Sequence, residues 1–250
     1  MNIVILGGGT PGKFGNDFAV KARSEGHRVI IFSHKSNYTN DQDQHIINYD
    51  NTTQSQIIFN KVLETIDKID ILILNQNGSS YPYLNRQHNS TQVDIEQYHQ
   101  SLNIHVIMSH LLIAACHNKM DKGSKVTYMS TGLAFQFVRD TYHEHYGYGA
   151  YKSFMTHLMM GFANNRTKEI TYTVFSPHFP YEDRERYNLV FENCYKWIFD
   201  HTDNVNGCVI GGWEPSHSPY KIFWQMYDER SARGSHPSIN INPIPSKARS

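Results

Sequence analysis

The sequence predicts an α/β fold: one doubly wound parallel sheet, Rossmann-like and of about seven strands, with helices on both faces. Three observations predict it. Short apolar runs alternate with helically periodic stretches along nearly the whole chain. The first apolar run passes directly into a glycine-rich turn and then a helix. Polar or glycine-bearing segments follow several strands, at the sheet edge where open α/β folds bind ligands.

The opening residues, Met1 to Phe32, read as strand, turn, helix, strand. Ile3 to Leu6 form the apolar run of a buried parallel strand; Phe14, Phe18 and Ala22 recur at helical spacing; Gly26 closes the helix. Gly8, Gly9, Gly12 and Gly15, with Thr10, Lys13 and Phe14 among them, fall where a dinucleotide's pyrophosphate would approach the backbone and a helix N-terminus. The spacing is G-x-x-x-G-x-x-G from Gly8, or G-x-x-G-x-x-G from Gly9. A tight turn can have this composition too, but the place between strand and helix favours a nucleotide. The second strand, Arg28 to Phe32, ends in Ser33-His34-Lys35. An acidic residue there would suit the ribose 2′-hydroxyl of NAD, whereas a basic end accommodates a 2′-phosphate, so NADP(H) is favoured with NAD(H) as the alternative.

His45 to Asn48 form a short strand that leads to Asp50. Thr52 or Thr53 caps the next helix, with Ile57, Ile58, Val62, Leu63 and Ile66 inward. The strand Ile69 to Leu74 runs into Asn75-Gln76-Asn77-Gly78, and a long polar loop follows from Tyr81 to Gln92. Asp94 caps a helix from Ile95 to His117 whose repeating face carries Leu102, Val106, Ser109 and Ile113; Asn103 lies within it. The strand Gly123 to Met129 ends in Ser130-Thr131-Gly132, and Leu133 to Gly147 is an irregular loop. A helix to about Asn164 follows, then a strand from Ile170 to Phe175 and the non-helical Ser176-Pro177-His178-Phe179-Pro180. The helix Arg186 to His201 turns Leu189, Val190, Cys194, Trp197 and Ile198 inward, and the strand Gly207 to Ile210 ends in Gly211-Gly212. Residues 1–212 are thus read as one domain, and 213–250 as an extension with an aromatic segment, Tyr220 to Tyr227, and a poorly ordered tail.

Composition excludes several classes of function. Lys plus Arg and Asp plus Glu both number 23, which gives no overall field for nucleic acid or an anionic membrane; a small molecule is the expected partner. Cys116, Cys194 and Cys208 make no C-x-x-C, so neither a disulfide framework nor a cysteine zinc site is expected. The only close histidine pair, His143 and His145, has no third ligand in view, and no metal is expected. The lack of a membrane-length apolar run or a leader pattern points to the cytoplasm.

Tyr148 and Lys152 stand one helical turn apart and share a face. A phenol near pKa ~10 is a poor acid or base at neutral pH, and a neighbouring ammonium favours its anion. With 16 tyrosines in the chain, an i, i+4 pair is by itself weak evidence; what surrounds it decides.

Taken together, these pieces resemble the short-chain dehydrogenase/reductase family over about residues 1–212. GGGTPGKFG looks like its cofactor loop, and NQNG stands in the place of its N-N-A-G. Asp50 matches an aspartate near the adenine, and Asn103 a helix asparagine that holds a proton-relay water. YMSTGLAF looks like the strand end with the active-site hydroxyl, YGAYK matches Tyr-x-x-x-Lys, and VNGCVIGG resembles the last strand. The resemblance implies NAD(P)(H)-dependent reduction of a carbonyl, or oxidation of an alcohol, with Tyr148 as general acid/base. Lys152 would lower its pKa and hold the nicotinamide ribose, Thr131 or Ser130 would bond the substrate oxygen, and Pro177 and His178 would stand by the nicotinamide. It also implies a homodimer or homotetramer. The departures are Thr131 at the usual serine, Asn77 for the N-N-A-G alanine, His178 for a glycine, and a Thr131-to-Tyr148 separation of 148 − 131 = 17, wider than usual. A nucleotide-binding sensor or pseudoenzyme on the same fold is the alternative. A nucleotide-sugar epimerase or dehydratase is less favoured, because little chain follows Pro177.

Overall fold

The computed structural model describes residues 1–34, 43–76, 95–130, 146–164, 168–177, 181–200, 206–212, 221–225 and 240–241. The predicted α/β sheet forms. In chain order the elements are β1 (Asn2–Leu6), α1 (Phe14–Ser24), β2 (Arg28–Ser33), β3 (Gln44–Ile46), α2 (Thr52–Leu63) and β4 (Ile71–Leu74). There follow α3 (Ile95–Leu102), a π-helical stretch (Asn103–Ile107), α4 (Met108–His117), β5 (Lys125–Met129), α5 (Tyr146–Asn164), β6 (Thr171–Pro177), α6 (Arg184–Asp200) and β7 (Cys208–Gly212). These seven strands are parallel, in the order β3-β2-β1-β4-β5-β6-β7. Beyond β7 the sheet continues with two strands that run antiparallel, β8 (Lys221–Gln225) and β9 (Asn240–Ile241). The β-branched and aromatic run K-I-F-W-Q suits the first of these, in the segment read from sequence only as aromatic.

Alternation along the central strands sorts the core into two layers. Val4 and Leu6 of β1 join Phe59, Leu112 and Met155 on the face covered by α2, α4 and α5. Ile3 and Ile5 join Phe14, Phe18, Phe191 and Ile198 on the face covered by α1 and α6. The sheet between them carries side chains buried on both sides, as parallel sheets require.

Local details differ from the sequence reading. Asn51, not Thr52 or Thr53, caps α2, accepting the Gln54 N–H at 3.0 Å. The inward face of α2 is built on Phe59 and Leu63, while Ile57 is exposed. Leu189 of α6 is likewise exposed. That helix begins two residues earlier than read, where Asp183 accepts the Arg186 N–H at 3.1 Å. The single helix read over 95–117 is interrupted at Asn103, where the ladder slips to the π pattern and Met108 N–H bonds the Asn103 carbonyl.

The chain leaves β1 towards β2 and β3 and then returns to the other side of β1 with β4. The carboxyl ends of β1 and β4 therefore flank the point where the winding reverses, which is the ligand crevice of such sheets. The glycine turn closes there with almost no spare space. A Cβ on Gly15 would lie 2.5 Å from the Gly7 carbonyl oxygen and 2.6 Å from Asn75 Nδ2. Gly15→Ala is expected to destabilise the protein by roughly 2 kcal/mol through this overpacking, read as a lowered urea midpoint with unchanged m-value.

Candidate active site

The site begins with the two turns that leave β1 and β4. Gly7, at φ 87, packs its backbone on Gln76, and Asn75 donates its side-chain amide to the Gly7 carbonyl at 2.7 Å. Gly7 was not among the glycines singled out from the sequence. Its signal was the triple glycine directly after the strand, and its role is to let the β1 and β4 turns touch. Gly8 and Gly9 are buried, Thr10 is exposed, and its carbonyl accepts the Lys13 N–H at 3.3 Å. Gly12 has φ 71 and nothing within 4 Å of a built Cβ. The residue before α1, Lys13, offers no side-chain cap to the helix; its ammonium lies 3.6 Å above the Tyr181 ring. The Phe14 side chain turns down into the core against Phe18 and Phe191, so only its backbone faces the turn.

The start of α6 is fastened to this turn. Asp17 in the first turn of α1 accepts hydrogen bonds from Arg184 at 3.0 Å and from the Tyr187 hydroxyl at 2.9 Å. A carboxylate in the first turn also suits the helix dipole. Burial, then the Asp17 carboxylate, pushes the Tyr187 phenol upward, which keeps it the donor.

At the far end of the crevice, Ser33 is buried and its carbonyl accepts the Ile47 N–H at 2.9 Å. His34 is exposed, with its ring 5.2 Å from that of Tyr49. Asp50 is exposed and accepts from the Gln100 side chain at 3.3 Å. Lys35, Asn77, Gly78, Thr131 and His178 lie outside the described residues, as do His143 and His145. Pro177 is the last residue of β6, paired with Gly212.

The Tyr148–Lys152 pair stands on α5 over the ends of β4 and β5. Lys152 is 2 % exposed and donates to two backbone carbonyls, Met129 at 2.8 Å and Gln76 at 3.1 Å. Its ammonium is 4.9 Å from the Tyr128 ring and 5.5 Å from the Tyr148 ring. Burial lowers the Lys152 pKa to about 7. The carbonyl dipoles and aromatic faces are what let a cation stay there at neutral pH.

Ser130 is buried, and its hydroxyl shares a 3.3 Å hydrogen bond with Thr156, which in turn donates to the Lys152 carbonyl at 2.8 Å. Its hydroxyl is thus held against α5, one turn beyond Lys152. Gln76, read from sequence as a cofactor contact, is 1 % exposed and turns its side-chain amide inward to donate to Ser109. Asn103 is half-buried at the head of the π stretch. The residue of that stretch brought against the pair is His105, missed in the sequence because a lone histidine in a helical run carries no signal. It is fully buried, edge-on to Tyr148 with ring centroids 5.4 Å apart, and stacked on Tyr151 at 6.0 Å. Burial, and secondly the Lys152 charge, lowers its pKa to about 3.

The depressed Lys152 pKa has a consequence for stability. The unfolded chain holds this proton up to about pH 10.4, whereas the folded protein releases it above about 7. Between these values the unfolded state binds more protons, so this group's contribution to stability improves as pH rises and is constant below about 7. The stability of the parent relative to Lys152→Met should therefore rise by up to about 1.4 kcal/mol per pH unit from about pH 7 to 10. Paired urea titrations across that range measure the slope.

No family model matches the sequence, and no curated protein matches it. Solved structures do match in fold. A short-chain dehydrogenase from Burkholderia cenocepacia in complex with NADP superimposes with TM-score 0.69 at 15 % identity, covering 84 % of this chain and 94 % of that one. A blue fluorescent protein from a metagenomic library in complex with NADPH gives 0.68 at 15 %, covering 87 % and 98 %. A short-chain dehydrogenase/reductase from Serratia marcescens gives 0.66 at 14 %, covering 84 % and 95 %. The chain has the fold of the short-chain dehydrogenases and reductases.

Proposed function

We propose that this protein is an NADP(H)-dependent oxidoreductase of the short-chain dehydrogenase/reductase type, reducing a carbonyl or oxidising an alcohol on a small molecule. The observation that carries the reading is Lys152, a buried ammonium 5.5 Å from the Tyr148 ring and bound to carbonyls at the ends of β4 and β5. Burying a cation is costly, and one placed beside a phenol at the ligand edge of the sheet has a chemical use for that cost.

The glycine turn fits a dinucleotide. Its backbone is open at Gly12, its helix N-terminus has no side-chain cap, and the tight contact of Gly7 with Gln76 shapes the crevice floor. Gly8, Gly9, Thr10, Gly12, Lys13 and Gly15 would hold the pyrophosphate, and Ser33, His34 and Lys35 the 2′-phosphate. Asp50 would border the adenine; Asn75, Asn77, Gly78, Pro177 and His178 would border the nicotinamide half. When bound, NADPH supplies the hydride. Tyr148 then gives a proton to the substrate oxygen and recovers it in the reverse direction. Lys152 would favour the phenolate form, and Thr131 or Ser130 would position the substrate oxygen; a bond from Lys152 to the ribose would require its ammonium to leave the Met129 or Gln76 carbonyl. Since the Ser130 hydroxyl is shared with Thr156, Thr131 is the better candidate. Asn103 orders the water that carries the proton onward. A homodimer or homotetramer is the assembly we propose.

A nucleotide-binding sensor on the same fold is the second reading, favoured by the glycine spacing. Tyr148→Phe separates the two. For an oxidoreductase, the variant should bind NADPH as the parent does and lose about 10²–10⁴-fold in kcat in a carbonyl-reduction assay. Undiminished turnover would remove Tyr148 from the mechanism.

A further inference from the structure

His105 is a second ionisable side chain pressed against the Tyr148–Lys152 pair. It lies in the π stretch Asn103–Ile107, and its ring packs against Tyr148 and Tyr151 of α5. The imidazole is fully buried, yet neither Nδ1 nor Nε2 has a hydrogen-bond partner among the described residues. Two other buried polar atoms of the same region, Gln76 Oε1 and Tyr128 Oη, also lack one. Lys152 completes the group. Its ammonium has three donors, and two are used on the Met129 and Gln76 carbonyls. Buried polar atoms need partners, and internal water supplies them where protein groups do not.

We propose that His105 is a positioning residue for the Tyr148–Lys152 pair: a neutral imidazole whose ring nitrogens hold enclosed water against the third donor of Lys152. The inference rests on the assignment of Tyr148 and Lys152 as the working pair. A neutral imidazole offers one acceptor and one donor, so it can accept from such water and pass a hydrogen bond on. Protonation would set a second cation beside Lys152, which its burial opposes. The titratable groups around it are Tyr148, Tyr151 and Lys152 of α5 and, through the Tyr151 hydroxyl bonded to its carbonyl, Tyr98 of α3. Tyr128 of β5 faces the same ammonium, and its phenol is held neutral by burial. By giving Lys152 a further acceptor, His105 would favour the charged ammonium beside the Tyr148 ring.

The test needs no substrate. The ionisation midpoint of Tyr148 is read from phenolate absorbance in the parent, His105→Phe and His105→Gln, each against the same protein carrying Tyr148→Phe. His105→Phe keeps an aromatic edge without nitrogens and should raise the midpoint by about one pH unit; His105→Gln, which keeps both a donor and an acceptor, should recover most of it. An unmoved midpoint in both variants would reduce His105 to packing and overturn the proposal. Should the variants not fold, nitrogen-15 NMR of the parent decides: a neutral ring with one slowly exchanging N–H from pH 5 to 8 is expected, as marks of the buried range, and an imidazolium at neutral pH overturns it. Absent turnover with every carbonyl compound would sink the oxidoreductase reading and leave this titration readable.

Discussion

The structure around the crevice depends on one buried cation. Lys152 sits under α5 with its ammonium on the carbonyls of Met129, at the end of β5, and of Gln76, just past β4. Those two bonds tie a helix to two adjacent strands at the edge where the ligand crevice opens. Without carbonyls aimed at it, an ammonium at this depth would give up its proton or pull the strand ends apart. The backbone of the β4 turn is therefore shaped twice over, by Lys152 on one side and by the close approach of Gly7 on the other. The two halves of the site, glycine turn and tyrosine helix, meet through Asn75 and Gln76.

That arrangement explains why the fold was readable. Buried parallel strands are continuous apolar runs, and Ile3–Leu6, Arg28–Phe32 and Ile69–Leu74 carry that signal in the sequence itself. The Tyr148–Lys152 spacing was also visible, since i, i+4 on a helix is a local property. Features set by contact between distant elements were hidden. Gly7 matters because Gln76 lies against it, and His105 because its ring packs against Tyr148. Neither relation is present in any local window of sequence.

Gln76 shows the same limit from another side. Its position after β4 suggested a cofactor contact; its side chain bonds Ser109 in the interior, and its carbonyl accepts from Lys152. Phe14 was read both among the turn residues and on the helix's apolar face with Phe18 and Ala22, and its side chain lies in the core. Which way each side chain points was decided by neighbouring apolar surface and by unsatisfied hydrogen-bonding groups.

The crevice joins a helix N-terminus without a side-chain cap and a glycine backbone at one end to a phenol and a buried ammonium at the other, and the proposed NADP(H)-dependent activity rests on that arrangement. The most direct test is equilibrium titration of the intact protein with NADPH and with NADH, followed by nicotinamide fluorescence. Saturable binding, tighter for NADPH, is the result this account predicts. Binding of neither nucleotide would contradict it.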